Sequence, residues 1–247
     1  MTNALSNAQV DQLGDRLRRP PLDEADLTLL DEYRRSFGPA YEEVVSTLRK
    51  LGQQPTGRPA KTTFSLVAKM KRETIRLSQV QDIAGCRVVV ANLEEQEQAA
   101  TALQRAFPKV TVVDRRTRPT HGYRAVHVIV EVLDRAVEIQ VRTMLQHTWA
   151  ELSEKLSDLV DPAIKYGGGP VNIRDRLLRT SSAMGLVEEA ERHLAEAGRV
   201  MEEEQETEEN RQQVAAAQEQ MPRLKEALAK ALKETVDTWI HDTKGRA

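Results

Sequence analysis

The sequence predicts an α+β fold in which helices flank a small mixed β-sheet and a helical extension follows at the C-terminal end. Three observations predict it. Apolar residues recur at helical spacing from Leu27 to Leu51. Short β-branched segments with two-residue alternation fill the middle of the chain. The last third is rich in Ala, Glu and Gln and reads as helix throughout. Helices before and after a cluster of strands are typical of the α+β class.

The N-terminal segment, residues 1–24, is polar and ends in Arg-Arg-Pro-Pro, so the sequence predicts a flexible lead-in there. A helix is predicted to start near Asp23, because apolar residues then follow at intervals of three and four up to Leu51. Pro39 falls inside this stretch and can divide it into two helices.

The middle of the chain contains the predicted sheet. Breaker residues over 52–57 indicate a loop, and a helix capped by Thr62 or Thr63 follows. A second helix is predicted over 93–106, and residues 133–136 read as a hairpin turn. The predicted strands are Cys86–Ala91, Val110–Val113, Ala125–Val132 and Val137–Arg142.

The C-terminal part reads as helix over 144–159 and again from Val171 onwards. We therefore expect the chain to divide into the lead-in, a main domain over 25–170 and a helical extension over 171–247. Residues 202–220 hold almost no large apolar side chains and indicate a solvated helix or a flexible connection. A later apolar stripe predicts packing within the chain or against a second copy. Its members are Leu224, Leu228, Leu232, Val236 and Ile240.

Composition excludes several classes of protein. The formal net charge of −2 over 247 residues excludes a globally basic nucleic-acid binder. The single cysteine, Cys86, excludes a disulfide framework and lies in an apolar run, which indicates a buried bystander. No stretch has the length and apolarity of a membrane span or a secretory leader, so we expect a cytoplasmic protein without membrane contact.

Two acidic residues lie on predicted strands or just before them. The segment from Val137 to Arg142 alternates strictly, with Glu138 and Gln140 on the face opposite the apolar residues. A solvated sheet face explains this pattern equally well. However, Asp82 precedes the Cys86 strand, and two carboxylates from different strands can hold Mg²⁺. Glu138 can alternatively act as a general base for a substrate hydroxyl.

A basic segment precedes the sheet. Lys61, Ser65, Lys69 and Arg72 fall near one face of the predicted helix and could bind a triphosphate. A basic, solvated surface helix is the plain alternative. The sequence contains no G-x-x-x-x-G-K-[ST] and no G-x-G-x-x-G, so the two common glycine-rich nucleotide motifs are absent.

Four motifs in one order resemble the RelA/SpoT nucleotidyltransferase family. QDIAGCR at 81–87 resembles its D-I-A-G-x-R motif, and HGYRAVH at 121–127 resembles G-Y-R-x-x-H. VEIQVRT at 137–143 resembles V-E-I-Q-x-R-T, and QHTWAE at 146–151 resembles the W-A helix. The resemblance covers roughly residues 45–160 and implies a nucleotidyltransferase-like fold.

Members of this family transfer the pyrophosphate of ATP to the ribose 3′-hydroxyl of a guanine nucleotide and so make (p)ppGpp. The resemblance therefore implies ATP and GDP or GTP as substrates and Mg²⁺ as cofactor, held by Asp82 and Glu138, the two expected catalytic acids. The ATP-binding residues that it implies are Arg58, Lys61, Ser65, Lys69 and Arg87. The acceptor-binding residues that it implies are Tyr123, which would stack on the guanine, and His127, Gln140 and Arg142.

Two alternatives stay open at this point. Toxin-like members of the family modify the 3′ end of tRNA, which would need a basic surface beside the site. Candidates for such a surface are Arg115, Arg116, Arg118 and Arg135. A catalytically degenerate domain that only binds a nucleotide or a partner is the other alternative. Small members of the family often form homo-oligomers, and the C-terminal helices could serve that assembly.

Overall fold

The computed structural model describes the backbone of residues 5–19, 21–203 and 207–244, and side chains within 5–19, 21–201 and 207–234. The chain forms two compact units. The first comprises Met1–Val88, Ala100–Val113 and His127–Val141, and the second comprises Val89–Ala99, Asp114–Val126 and Arg142–Ala247. Helices and one small sheet build them, which confirms the predicted α+β class with its helical C-terminal region.

The helices alternate with the strands only in the middle of the chain. They are α1 (Asn7–Leu17), α2 (Glu24–Arg35), α3 (Gly38–Lys50), α4 (Thr63–Glu73), α5 (Leu93–Ala106), α6 (Met144–Leu159), α7 (Val171–Glu203) and α8 (Glu208–Lys244). Short 3₁₀ helices span Leu77–Gln79 and Pro162–Tyr166.

The sheet has five strands in the order β1-β2-β5-β4-β3. They are β1 (Thr56–Arg58), β2 (Ala84–Val90), β3 (Val110–Asp114), β4 (Val126–Val132) and β5 (Arg135–Thr143). Strand β5 therefore lies at the centre of the sheet, and the four predicted strands agree with β2 to β5 within two residues at each end. Leu133 and Asp134 form the turn between β4 and β5 with φ of 48° and 56°, as a two-residue hairpin of type I′ requires.

The prediction of a flexible lead-in over residues 1–24 is wrong for the described part of it. Helix α1 begins at a capping box in which Ser6 accepts a hydrogen bond from the Gln9 backbone and the Gln9 side chain accepts one from Ser6. Val10, Leu13 and Leu17 recur at helical spacing and are buried. The overall polarity of the segment hid these two signals.

The region that was expected to be a loop, residues 52–57, ends in strand β1. This strand pairs antiparallel with β2, and Gly57 lies opposite Cys86. A Cβ atom on Gly57 would lie 2.4 Å from the Gly85 carbonyl oxygen and 2.5 Å from the Cys86 Cα. Only glycine therefore allows this close approach of the two backbones.

The predicted division into two helices is confirmed as α2 and α3, and the break lies at Ser36 and Phe37, just before Pro39. Asp23 caps α2 by accepting a hydrogen bond from the Ala25 backbone at 2.7 Å. Pro39 stands in the first turn of α3, where its missing N–H costs nothing.

The second unit has its own apolar core. Leu145, Trp149 and Leu156 of α6 are buried with residues of the Pro162–Tyr166 turn and of α7. Leu228 and Leu232 of α8 pack against this core, as expected for a stripe that packs within the chain, whereas Leu224 is exposed. The Val236 and Ile240 side chains, and residues 204–206 of the predicted solvated segment, lie outside the described residues. Among the described helices, none combines the length and apolarity that crossing a membrane would require.

Gly57→Ala should destabilise the first unit, because its new methyl group would overlap the backbone of β2. We expect the free energy of unfolding to fall by about 1–3 kcal/mol, as overpacking usually costs. Gly38→Ala is the matched control, since a Cβ atom there meets nothing within 4 Å. Urea unfolding of both variants measures the difference, and equal stabilities would contradict the tight crossing of β1 and β2.

Candidate active site

Asp82 lies two residues before β2 and is held by two lysines. The Lys61 Nζ donates to Asp82 Oδ2 at 2.6 Å, and the Lys69 Nζ lies 3.0 Å from Oδ1. All three side chains are largely buried, with 17–20% of each exposed. Burial acts to raise the pKa of Asp82, but the charges and hydrogen bonds of the two lysines outweigh it and lower that pKa.

The backbone places Lys61 beside this acid. The Lys61 N–H donates to the Ile83 carbonyl at 2.6 Å, and the Arg34 Nε donates to the Lys61 carbonyl at 2.6 Å. Thr62 is the N-cap of α4, so the helix begins only after Lys61. The expectation that Lys61 shares a helix face with Ser65 and Lys69 is therefore wrong, although Lys61 and Lys69 do converge on one carboxylate.

Glu138 lies on the central strand β5 and points away from its apolar face. The burial of Val137 and Ile139 on either side confirms the predicted alternation. The His127 Nδ1 lies 2.7 Å from Glu138 Oε1, and the Gln140 Nε2 donates to Oε2 at 2.7 Å. Burial acts to raise the pKa of Glu138, but the hydrogen bond and charge of His127 outweigh it, so that this pKa is lowered. The His127 Nδ1–H is then the donor and Glu138 the acceptor.

The two acids lie near enough to influence each other. The charge of Asp82 acts to raise the pKa of Glu138. Within the described residues no cluster of three or more His, Cys, Asp and Glu side chains forms a complete metal site. Two carboxylates still fit Mg²⁺, which takes its remaining ligands from water and substrate phosphates. The donor set of Asp82 and Glu138 therefore suits a magnesium ion that arrives with a nucleotide.

Cys86 is a buried bystander, as the sequence indicates. Its thiol is 4% exposed, and burial raises its pKa to about 12. A thiol that stays protonated at neutral pH is a poor nucleophile.

The second unit holds Tyr123 and Arg142 against each other. The Arg142 Nη2 donates to the Tyr123 hydroxyl at 2.9 Å, and the guanidinium carbon lies 5.0 Å from the centre of the ring. Tyr123 ends a tight turn in which its N–H donates to the Thr120 carbonyl at 3.0 Å. His121 and Gly122, the central residues of this turn, have φ of 54° and 88°.

The three remaining residues that were predicted to bind ATP do not join the Asp82 cluster through any contact described above. Arg58 is exposed on β1, and Arg87 is half-buried on β2. Ser65, in the first turn of α4, accepts a hydrogen bond from the Thr62 hydroxyl at 2.8 Å. The structure thus brings Lys61, Lys69 and Asp82 together in one cluster and His127, Glu138 and Gln140 in another, both in the first unit. Arg34 is an additional residue of this region that the sequence did not indicate, because nothing in the pattern of α2 predicts a long-range hydrogen bond to a backbone carbonyl.

Comparisons with known proteins identify the family to which the chain belongs. The model of the family described as the region found in RelA / SpoT proteins matches residues 57–157. An uncharacterized protein of Mycobacterium bovis is 34% identical over 142 residues, which are 55% of this chain and 52% of that protein. The chain therefore spans about half the length of the first curated relatives that it matches.

Two further comparisons involve proteins of Bacillus subtilis. The GTP pyrophosphokinase YjbM is 31% identical over 153 residues, which are 54% of this chain and 67% of that protein. The crystal structure of small alarmone synthetase 1 bound to its product pppGpp matches with a TM-score of 0.53 and 25% identity, over 70% of this chain and 97% of that chain. Fold and matched region define the class, a protein with the RelA/SpoT synthetase fold. More particularly, the chain belongs to the small synthetase family of RelA/SpoT proteins.

The ion cluster at Asp82 should make the stability of the protein depend on pH. The folded-state pKa of Asp82 is lowered, so the cluster stabilises the fold above about pH 4, the unfolded value, and this contribution is lost as the pH falls through the folded value. We expect Asp82→Asn to lower the free energy of unfolding by about 1–3 kcal/mol at pH 7. The gap to the wild type should narrow as the pH falls below about 4.

Urea unfolding at pH 7, 5 and 3 measures this gap. Asp134→Asn, in the exposed hairpin turn, is the matched control and should leave stability nearly unchanged. A gap between wild type and Asp82→Asn that is independent of pH would show that the lysines do not hold Asp82 in its charged form.

Proposed function

We propose that the protein is a GTP or GDP pyrophosphokinase, which transfers the pyrophosphate of ATP to the ribose 3′-hydroxyl of a guanine nucleotide and makes (p)ppGpp. One observation carries the proposal. Glu138, buried on the central strand, is kept ionised by His127 and Gln140, as a general base for a hydroxyl requires. The membership of the chain in the RelA/SpoT family and its likeness to YjbM support the same reaction.

Lys61 and Lys69 bind the phosphates of ATP in this proposal, together with Arg58, Ser65 and Arg87. The two ammonium groups already converge on one anion, Asp82, and can turn to a second. When they move to the triphosphate, the oxygens of Asp82 become available. Asp82 and Glu138 would then hold Mg²⁺, which supplies neutralisation of the phosphate charge.

Tyr123 and Arg142 bind the acceptor nucleotide in this proposal. His127 and Gln140 are the further acceptor-binding residues that the family resemblance implies. The ring of Tyr123 offers a flat apolar face to the guanine base, and stacking on an aromatic side chain is a common way to bind a purine. Arg142 fixes the ring through its hydrogen bond to the hydroxyl.

The transfer step needs one general base and precise placement of the 3′-hydroxyl against the β-phosphorus of ATP. Glu138 takes the proton of the 3′-hydroxyl, whose oxygen attacks the β-phosphorus of ATP. The new bond joins the 3′-oxygen to that phosphorus, the bridging bond to the α-phosphate breaks, and AMP leaves. His127 and Gln140 hold both oxygens of Glu138 and so orient the base for the hydroxyl.

Two of the four arginines that the tRNA alternative would use make contacts within the protein. Arg116 is bonded to Asp114, and Arg135 stacks on Phe37 with its guanidinium carbon 5.3 Å from the ring centre. These two side chains serve contacts within the protein. A cytoplasmic location remains a part of the proposal that rests on the sequence expectation, and a homo-oligomeric state remains one that rests on the family resemblance.

Glu138→Gln should lower the transfer rate by about 10²–10⁴-fold, the usual contribution of a general base. Radiolabelled ATP with Mg²⁺ and, separately, GDP, GTP and bulk tRNA measures this rate. Glu131→Gln is the matched control, because Glu131 is an exposed glutamate on the adjacent strand that pairs with Lys109. Label that moved only to tRNA would refute the guanine nucleotide as acceptor, and full activity of Glu138→Gln would refute its role as base.

Tyr123→Ala should raise the KM for GDP about tenfold or more, since stacking contributes about 1–3 kcal/mol for each base. Tyr123→Phe keeps the ring and loses only the hydrogen bond to Arg142, so its KM should rise less. Steady-state kinetics with each substrate varied in turn gives both constants. The KM for ATP is the internal control and should stay within about twofold; an equal rise of both constants would contradict a specific role in acceptor binding.

A further inference from the structure

Helix α7 lies outside the matched family region of residues 57–157 and carries a row of small and polar residues on one face. Ser181, Gly185 and Glu188 follow one another at intervals of four and three, so they share that face. Ser181 and Glu188 are 3% and 2% exposed. Burying polar groups lowers the stability of a protein unless they form hydrogen bonds, so each of these two side chains needs a hydrogen-bond partner.

Ser181 holds the turn that carries Tyr123. Its hydroxyl donates to the Gly122 carbonyl at 2.5 Å and accepts a hydrogen bond from the Arg124 Nε at 3.1 Å. A Cβ atom on Gly122 would lie 2.8 Å from Trp149 and 3.3 Å from the Ser181 Cβ. The turn is therefore pressed between α6 and α7, with Tyr123 as the next residue.

Gly185 leaves room for the neighbouring arginine. A Cβ atom on Gly185 would lie 2.9 Å from the guanidinium carbon of Arg124. Arg124 also donates through Nη1 to the Arg116 carbonyl at 2.5 Å. Helix α7 thus contacts the residues that precede and follow Tyr123 in the sequence, Gly122 and Arg124.

Glu188 holds the end of strand β5. It accepts hydrogen bonds from the Thr143 hydroxyl and from the Gln146 Nε2, the latter at 3.1 Å. Thr143 is both the last residue of β5 and the N-cap of α6. Gln146 is bonded in turn to Gln96 of α5 at 2.8 Å. The residue before Thr143 is Arg142, which contacts Tyr123.

We infer that Ser181 and Glu188 are positioning residues for the acceptor nucleotide, an inference that rests on the proposed function. Ser181 acts through the Gly122 turn on Tyr123, and Glu188 acts through Thr143 on Arg142. Residues on one face of α7 therefore hold the positions of Tyr123 and Arg142, the two side chains that would bind the acceptor. Helix α7 is then a support of the proposed acceptor-binding residues rather than a separate extension.

The neighbouring residues of α7 offer matched controls. Ser182 is exposed and donates to the Leu178 carbonyl of its own helix at 3.1 Å. Glu189 is exposed and pairs with Arg192. The test compares Ser181→Ala with Ser182→Ala and Glu188→Ala with Glu189→Ala. Glu188→Gln serves as the conservative variant, because its amide can still bond to both Thr143 and Gln146.

Steady-state kinetics in the full chain gives the KM for GDP and for ATP, and calorimetry gives the affinity for GDP without ATP. We expect Ser181→Ala and Glu188→Ala to raise the KM and the dissociation constant for GDP about tenfold, since small misplacements of binding groups have effects of this size or larger. The KM for ATP should stay within about twofold. Glu188→Gln should restore most of the affinity for GDP, and both control variants should behave as the wild type.

Two results would overturn the inference while leaving the proposed function intact. In the first, the wild type is active and both alanine variants keep their affinity for GDP. In the second, the KM for ATP and the KM for GDP rise together with a fall in melting temperature, as a merely structural role would produce. A wild type that transfers no pyrophosphate to GDP or GTP would instead contradict the proposed function itself.

Discussion

The charge on two buried carboxylates is the constraint on which the first unit depends. Asp82 and Glu138 both lose hydration on folding, and polar or charged side chains lie against both oxygens of each carboxylate and offset that loss. The partners come from the segment before α4, from α4 itself and from β4 and β5. Sheet and helix must therefore adopt this one arrangement, because the loss of any partner leaves a buried charge uncompensated.

The same ion pairs link stability to function. Lys61 and Lys69 stabilise the free protein through Asp82, and in the proposed reaction they leave it for the phosphates of ATP. The nucleotide must therefore bind strongly enough to offset the broken ion pairs. Proteins commonly keep such costly arrangements where activity needs them. Lys61 and Lys69 are already largely buried and close together in the free protein, so less side-chain entropy remains to be lost in the proposed binding step.

Local patterns predicted most of the fold and the sheet face on which Glu138 lies. The alternation around Glu138 identified its face, because side chains on a strand alternate with a period of two, and Pro39 and Asp23 marked helix ends. Strand β1 was missed because three residues that pair with Gly85, Cys86 and Arg87 have no periodicity of their own. The roles of Ser181 and Glu188 depend on contacts to residues about sixty and forty-five positions earlier, which no local pattern reports.

Those long separations also determine the order in which the molecule can form. The turn at Gly122 and the cap at Thr143 are completed by residues that follow them by 59 and 45 positions. Closing such loops costs chain entropy before the contacts repay it, so these contacts form late. During synthesis the ribosome must release α7 before Tyr123 and Arg142 can take their final positions. The nascent chain can therefore assemble its lysine–aspartate cluster well before the contacts of α7 with Gly122 and Thr143 form.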